Sequence, residues 1–201
     1  MVEQIRFAPN HTPYTIYIII YNKHMKLYFV RHGQTDWNVK KIAQGQTDIP
    51  LNATCIQQAE TLRDKIQSYQ LDICYASPLQ RTVQTAKIVV NDRCPIIFDN
   101  NLKERSFGSL EGTNPATWPE DILDLRLNSH LGNCETLKDT LARSQKVLDR
   151  IKSEQPANAR ILIVGHGSIL KTLHYNIIGF DEDTNFHDFH ISNGEIVEYD
   201  I

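Results

Sequence analysis

Two histidines in the sequence stand next to glycine, and each follows a short apolar run. Arg31-His32-Gly33 comes directly after Lys26–Val30, and Gly165-His166-Gly167 comes directly after Ile161–Val164. Glycine lets the backbone approach a ligand closely, and histidine can act as a nucleophile or transfer protons near neutral pH. The pattern indicates a ligand site that receives one histidine from each segment.

Charged side chains follow two further apolar runs. Arg81 comes soon after Asp72–Ala76, and Glu104 comes soon after Pro95–Phe98. With Arg31, the sequence offers two guanidinium forks that match phosphate oxygens in bidentate fashion. Phosphoryl transfer spreads negative charge over three such oxygens, so this set of residues favours that chemistry. Because the arginines supply fixed positive charge, the prediction includes no metal ion and no other cofactor.

Each of these residues also has a purely structural interpretation. A histidine at the end of a strand is commonly a hydrogen-bonded structural residue, and Arg81 and Glu104 are equally typical of ordinary surface charges. Ser77-Pro78 is first of all a helix start, with serine as the N-cap and proline at the first helical position. The functional interpretation is favoured because the four segments, which carry His32, Arg81, Glu104 and His166, are all expected to lie at one edge of the sheet.

The elements that must position these residues follow a regular pattern. Short apolar strands alternate with amphipathic helices, which predicts an α/β fold with a largely parallel sheet. The predicted strands are Lys26–Val30, Asp72–Ala76, Pro95–Phe98, Ile161–Val164 and Glu195–Tyr199. The predicted helices cover residues 52–68, a segment from Ser77, residues 135–152 and a segment after Gly167. Ligands bind at the carboxyl ends of the strands in such sheets, and the four segments lead there.

Helical spacing also predicts which side chains face the core. Three helices have apolar residues on one face, namely Ile56, Ala59, Leu62 and Ile66, then Leu137, Leu141, Leu148 and Ile151, then Leu170, Leu173 and Ile177.

Length and composition limit the class of protein. A chain of 201 residues predicts one main domain. The formal net charge of −3 argues against nucleic-acid and anionic-membrane binders, which favour a basic face. The four separated cysteines form no zinc or disulfide pattern and indicate a cytoplasmic protein. A small phosphorylated metabolite is the expected partner, and the chain is expected to be a monomer or a homodimer.

Residues 1–24 are predicted to be an extension of the domain at 25–201. The apolar run Tyr14–Tyr21 is too short to span a bilayer. Met25 stands directly before the first strand that leads to the site. The extension is either an extra strand or a segment upstream of the true start.

The ordered set of motifs resembles the histidine phosphatase superfamily, in its phosphoglycerate-mutase-like branch. The resemblance covers nearly all of residues 25–201. Its landmarks are Arg31–Thr35, Trp37-Asn38, Gln44-Gly45, Asp48–Leu51, Ser77–Leu79, Arg81, Gln84–Ala86, Leu102–Glu104, Phe107-Gly108, Glu111-Gly112 and Val164–Gly167. A lone Arg-His-Gly motif is weak evidence for this family, whereas the full set of motifs in this order is specific to it.

The resemblance implies a fold and a role for each matching residue. The fold would be a mixed, mostly parallel central sheet flanked by helices on both faces. His32 would accept the phosphoryl group, and Glu104 would be the general acid for the leaving group and then the base for water. The expected phosphate ligands are Arg31, Asn38, Arg81 and His166, and the expected substrate contacts are Gln44 and Gly45. The activity implied is hydrolysis of small phosphate monoesters through a phosphohistidine.

The sequence departs from the family pattern in two places. Cys55 stands where relatives usually have glycine, and because it lies away from the pocket in the sequence we expect it to affect only local backbone strain. Residues 133–136 follow the family's Gly-Glu-Ser segment only loosely, which puts substrate contacts from that region in doubt.

Three alternatives compete with a phosphatase. The first alternative is a cofactor-dependent phosphoglycerate mutase, which is favoured by Glu104-Arg105 followed by Phe107-Gly108. A mutase needs a cover over its site, and residues 113–131 and the end at Ile201 leave little material for one. A non-catalytic phospho-ligand binder is disfavoured because His32 and Glu104 are both present. A metallohydrolase would use His187-x-x-His190, but the residues around this pair indicate the entry to a strand.

Overall fold

One five-stranded sheet organises residues 24–201, which are the residues that the computed structural model describes. Its strands are β1 (Lys26–Arg31), β2 (Ile73–Ala76), β3 (Ile96–Phe98), β4 (Arg160–Gly165) and β5 (Ile196–Asp200). They lie in the order β3-β2-β4-β1-β5. All neighbours are parallel except β5, which pairs antiparallel with β1. The predicted mixed, mostly parallel sheet is confirmed.

Strands β1 and β4 form the centre of the sheet, and their register positions the two histidines. Their inner residues are fully buried, as expected for parallel strands covered on both faces. Arg31, the last residue of β1, pairs with Gly165, the last residue of β4. His32 and His166 therefore leave neighbouring strands at the same edge of the sheet.

Helices cover both faces of the sheet in the described part of the chain. They are α1 (Asp36–Val39), α2 (Ala53–Lys65), α3 (Gln80–Val90), α4 (Leu137–Glu154) and α5 (Gly167–Ile178). One core cluster joins α4 and α5 to alternate residues of the strands, and a second joins α2 and α3 to the residues between them. This three-layer arrangement lets every second side chain of a strand enter one of two cores.

The buried faces of the helices agree with the predicted ones except in α2. Ile56 was expected to face inward, but its side chain is 49% exposed, and Cys55 is fully buried instead. Asn52 caps this helix by accepting a hydrogen bond from the backbone N–H of Cys55. Cys55, Ala59, Leu62 and Ile66 then share one face at helical spacing, so the prediction for Ile56 was wrong.

The start of α3 also differs from the prediction. The helix begins at Gln80, with Leu79 at the N-cap position, and not at Ser77. Asp48, from a separate loop, accepts the backbone N–H of Gln80 at 2.7 Å and thereby replaces a local cap. The Ser77 hydroxyl accepts the backbone N–H of Leu79 at 3.3 Å and also takes part in the site described below.

Residues 181–195 form a loop of turns between α5 and β5. The predicted entry to a strand at His187 and His190 is therefore wrong, because the last strand begins only at Ile196. The run Tyr14–Tyr21 lies outside the described residues. Between residues 24 and 201, no helix is both long enough and apolar enough to cross a membrane.

Candidate active site

His32 lies at the carboxyl end of β1 and is 3% exposed. Its Nδ1 is 2.6 Å from the carbonyl oxygen of Gly33. A carbonyl can only accept a hydrogen bond, so Nδ1 carries the proton and Nε2 keeps its lone pair. Burial, followed by the positive charges of Arg81 and Arg31, holds the pKa of His32 well below its ordinary value. The imidazole is thus neutral and available as a nucleophile.

The backbone around His32 is held by three other segments of the chain. Asn193 donates its side-chain amide to the carbonyl oxygens of His32 at 2.8 Å and Gly33 at 3.2 Å. The backbone N–H of Gly33 donates to Thr85 Oγ1 at 3.1 Å, and that of His32 donates to Gly165 O at 3.0 Å. These contacts fix the position of the ring before any ligand binds.

Cys55 lies against the backbone at Gly33, although it does not border the cavity itself. A Cβ atom added to Gly33 would overlap Cys55 Sγ and would lie 3.3 Å from Cys55 Cβ. Burial raises the pKa of the Cys55 thiol to about 11, so the group is a neutral packing element. It reaches Gly33 because it begins the buried face of α2.

Arg81 projects from the first turn of α3 and is fully buried. Its Nε donates to His166 Nδ1 at 3.0 Å, and its terminal nitrogens donate to Thr47 O at 2.9 Å and Gly45 O at 2.7 Å. Three of its five N–H groups are therefore used within the protein. One N–H on each terminal nitrogen is left for a phosphate oxygen at the cavity surface.

His166 lies behind Arg81 and does not reach the cavity surface. Its Nε2 is 2.8 Å from Ser77 Oγ, and its ring centre is 5.1 Å from that of His32. Burial, and then the charge of Arg81, hold the pKa of His166 well below its ordinary value. With both ring nitrogens engaged, His166 positions Arg81, and its predicted contact with phosphate stays a prediction.

Arg31 lies at the end of β1 on the wall of the cavity. Its Nη1 donates to Ile191 O at 2.9 Å, whereas its buried Nε finds no partner among the described residues. Burial lowers the pKa of Arg31, and the nearby Glu104 carboxylate opposes that effect. An unpaired buried donor on a cation is suited to an anionic ligand.

Glu104 is held by the beginning of α5. Its carboxylate accepts the backbone N–H groups of Arg105 at 2.8 Å, Ser168 at 3.1 Å and Ile169 at 3.2 Å. Gly167 lies beside both groups, since a Cβ there would be in ordinary contact with Glu104 Oε2 at 3.6 Å and Arg31 Cζ at 3.7 Å. The carboxylate is only 8% exposed and borders the cavity.

The remaining predicted contacts also border the cavity. Asn38 uses its Oδ1 to accept the backbone N–H and the hydroxyl of Thr35, which leaves its amide N–H groups for a ligand. Gln44 is 7% exposed, and its Oε1 has no partner among the described residues. Gly45, at a φ of +51°, directs its carbonyl oxygen to Arg81. The structure thus brings every predicted site residue together, with His166 behind the surface.

The cavity itself has a volume of about 790 Å³, in the range of sites for small molecules. One wall is apolar and contains Ile42, Phe107, Trp118, Ile122 and Leu123. Residues from 114–123 and from the loop at 187–191 both line the cavity, and the two segments meet where His187 Nε2 lies 2.8 Å from Asp121 Oδ2. In the described part of the chain, no three His, Cys, Asp or Glu side chains form a metal-binding cluster.

Three residues of the site were missed or misread in the sequence. Ser77 was interpreted as an N-cap although it stands in a motif of the resemblance, and Thr85 was named only as part of a motif. Asn193 had no signal at all, because it reaches His32 from a loop about 160 residues away. Contacts of this kind depend on loop packing and leave no periodic pattern.

Comparison with known proteins identifies the class to which this fold and site belong. A family model described as the histidine phosphatase superfamily (branch 1) matches residues 27–201. The chain therefore belongs to the histidine phosphatase superfamily, and the predicted enzyme class, phosphatase, agrees with this family.

Individual relatives are similar over most of their length. The uncharacterized phosphatase PhoE of Bacillus subtilis is 36% identical over 77% of this chain and 78% of its own. The probable phosphoglycerate mutase GpmB of Proteus mirabilis is 32% identical over 77% and 75%, respectively. The crystal structure of the alpha-ribazole phosphatase from Shigella flexneri aligns with a TM-score of 0.76 and 28% identity, covering 88% of this chain and 91% of that one. The superfamily thus includes relatives named for both hydrolysis and mutase activity.

Proposed function

We propose that this protein hydrolyses small phosphate monoesters through a covalent phosphohistidine on His32. The observation that carries the proposal is the tautomer of His32. Its Nδ1–H is donated to Gly33 O, so Nε2 keeps its lone pair, and His32 borders the same cavity as Arg31 and Arg81. A neutral imidazole in that arrangement is a competent nucleophile at neutral pH.

The first step forms a bond between His32 Nε2 and phosphorus and breaks the bond from phosphorus to the ester oxygen. Arg31 and Arg81 bind the equatorial oxygens, where charge develops in the transition state. Glu104, in its protonated form, gives its proton to the departing oxygen. The alcohol leaves, and the phosphoryl group stays on His32.

The second step reverses these roles with water. The Glu104 carboxylate takes a proton from water, the water oxygen bonds to phosphorus, and the phosphorus–nitrogen bond breaks. Inorganic phosphate leaves and His32 is restored to its neutral form. All groups that move protons in this scheme belong to the chain, so we expect activity to persist after dialysis against a chelator.

Trapping the intermediate tests the proposal directly. Rapid quenching with a radiolabelled aryl phosphate should yield one acid-labile, base-stable phosphoryl group per chain. The His32→Ala variant should lose both the adduct and turnover, while His130→Ala, a change at an exposed histidine outside the cavity, should keep both. Near wild-type turnover by His32→Ala would refute the proposal.

Mutase activity is the second candidate, and the similarity to GpmB favours it. A mutase must keep water from its phosphohistidine while the bisphosphate intermediate turns over. The segment best placed to act as a cover, residues 113–131, contains only the short 3₁₀-helices Pro115–Thr117 and the start of Leu131–Asn133, and residues 112–117 are exposed. A cover without a longer helix offers little material to exclude water from the site, which supports hydrolysis.

The two activities separate with 3-phosphoglycerate as substrate, in the presence and absence of 2,3-bisphosphoglycerate. Release of inorganic phosphate with little 2-phosphoglycerate supports hydrolysis. Rapid formation of 2-phosphoglycerate with little free phosphate would favour the mutase instead.

A further inference from the structure

Helix α5 borders the cavity with two successive turns. Its first turn, through Ser168, binds the Glu104 carboxylate. Lys171 follows on the same face and also borders the cavity. A rise of about 1.5 Å per residue places it about 4.5 Å farther along the helix axis. The lysine thus lies one helical turn beyond the contact with Glu104, on the wall of the same cavity.

Lys171 is a partly buried cation with little compensation inside the protein. Its ammonium group donates to the carbonyl oxygen of Phe186, which uses one of three N–H groups. No carboxylate of the described residues lies within 4.0 Å of its nitrogen. Two donors of a positively charged group are therefore left without an anionic partner at a ligand cavity.

The nearby acidic groups are occupied elsewhere. Glu104 accepts three backbone N–H groups, Asp121 pairs with His187, and Asp188 accepts the side-chain amide of Asn185. Burial lowers the pKa of Lys171 to about 8, and the attraction of Asp121 and Glu104 opposes the effect. The charged and titratable groups that act on this lysine are Arg31, Glu104, Asp121, His174, Asp188 and His190. An anion from the substrate would complete the environment of this ammonium.

We propose that Lys171 determines specificity by binding a second anionic group, a carboxylate or another phosphate, on the leaving group of the substrate. The inference rests on the proposed phosphatase activity and narrows its substrates. The phosphoryl group lies between Arg31, Arg81 and His32, and the second anion lies one helical turn away at Lys171. The apolar wall contacts the carbon skeleton between them.

Matched ester pairs test this assignment and identify the anion. One pair is 3-phosphoglycerate and glycerol 3-phosphate, which differ by a carboxylate in place of a hydroxymethyl group. The other is propane-1,3-diol bisphosphate and propyl phosphate. kcat/KM is measured for both pairs with the wild type, Lys171→Met, Lys171→Arg and Lys146→Met, a control on the exposed face of α4.

The expected result is a preference of about tenfold or more for the anionic member of one pair. Lys171→Met should largely abolish the preference, whereas Lys171→Arg and Lys146→Met should keep it. The substrate pair that shows the preference identifies whether the bound anion is a carboxylate or a phosphate. For the carboxylate pair, the preference should decline as pH rises above about 8 in the wild type and persist in Lys171→Arg, because the guanidinium stays protonated.

Two outcomes would overturn the inference without affecting the proposed function. One is hydrolysis of both pairs without any preference, and the other is an equal loss for both members in Lys171→Met, which would limit Lys171 to holding the Phe186 loop. If no ester is hydrolysed, the proposed function itself fails. Calorimetric binding of 3-phosphoglycerate and glycerol 3-phosphate to the wild type and Lys171→Met then tests the lysine independently of turnover.

Discussion

Arg81 donates its Nε–H to Nδ1 of His166 across 3.0 Å, and this contact fixes the hydrogens of the buried site. Arginine can only donate, so Nδ1 of His166 accepts, and Nε2 must carry the proton that is donated to Ser77 Oγ. The same guanidinium is held in its plane by two carbonyl oxygens. One side chain thus orients the second histidine and presents donors to a phosphate.

We expect Arg81→Lys to lose most of the activity although it keeps the charge. A lysine amine has no planar fork and cannot contact His166, Gly45 and Thr47 at once while binding phosphate. The loss of preorganised donors predicts a fall in kcat/KM of about 10²–10³-fold. Steady-state kinetics measure this fall, with Arg63→Lys as the control at a partly exposed position on α2 outside the cavity. A loss of less than fivefold would contradict this role of Arg81.

Acid should destabilise the protein through its two buried histidines. The pKa values of His32 and His166 lie well below 6.5 in the folded protein, whereas the unfolded chain has ordinary values. Below pH 6.5 the unfolded state therefore binds more protons, and the free energy of unfolding falls as pH falls. Each histidine contributes up to about 1.4 kcal/mol per pH unit until its folded pKa is reached.

Urea unfolding between pH 7 and pH 5 measures this effect. The His166→Gln variant should show a smaller decrease with pH than the wild type, because one titrating group is gone. Stability that does not change between pH 7 and pH 5 would contradict the buried neutral state of both rings.

Gly33 and Cys55 should be energetically coupled, because their space is shared. A methyl group at Gly33 would overlap Cys55 Sγ, so Gly33→Ala should cost about 1–3 kcal/mol of stability by overpacking. The Gly33→Ala/Cys55→Gly double variant lacks the thiol and should therefore recover part of the lost stability. A double-mutant cycle on denaturant midpoints measures the coupling, which should exceed about 0.5 kcal/mol. Purely additive effects would show that α2 moves away at no cost.

The sequence alone was sufficient to predict the strands of the sheet and the polar residues that follow them. Strands such as Ile161–Val164 are apolar because both faces of the sheet are covered, so a short run of sequence is enough to predict them. Ile56 was misplaced because the phase of α2 depends on its cap at Asn52. The role of Ser77 was only partly predicted, because its hydroxyl accepts the N–H of Leu79 at the helix start and also bonds to His166, 89 residues away. Interactions that join distant loops carry no local pattern.

Glu104→Gln should separate chemistry from folding. The amide keeps the size of the side chain, and its oxygen can still accept from Arg105, Ser168 and Ile169, as Glu104 Oε1 does. Only the second contact of the Ser168 N–H, with Oε2 at 3.1 Å, is lost when that oxygen becomes an amide nitrogen. The fold should therefore persist, while the group can no longer give a proton to the leaving oxygen.

The choice of substrate makes this loss diagnostic. An alkoxide leaving group needs a proton, so kcat/KM for glycerol 3-phosphate should fall by about 10²–10⁴-fold. A nitrophenolate leaves without one, so p-nitrophenyl phosphate should lose far less in the phosphorylation step. Glu60→Gln, an exposed change on α2, should affect neither ester. Equal losses for the two esters would remove Glu104 from the acid role and leave it as the group that holds the start of α5 in place.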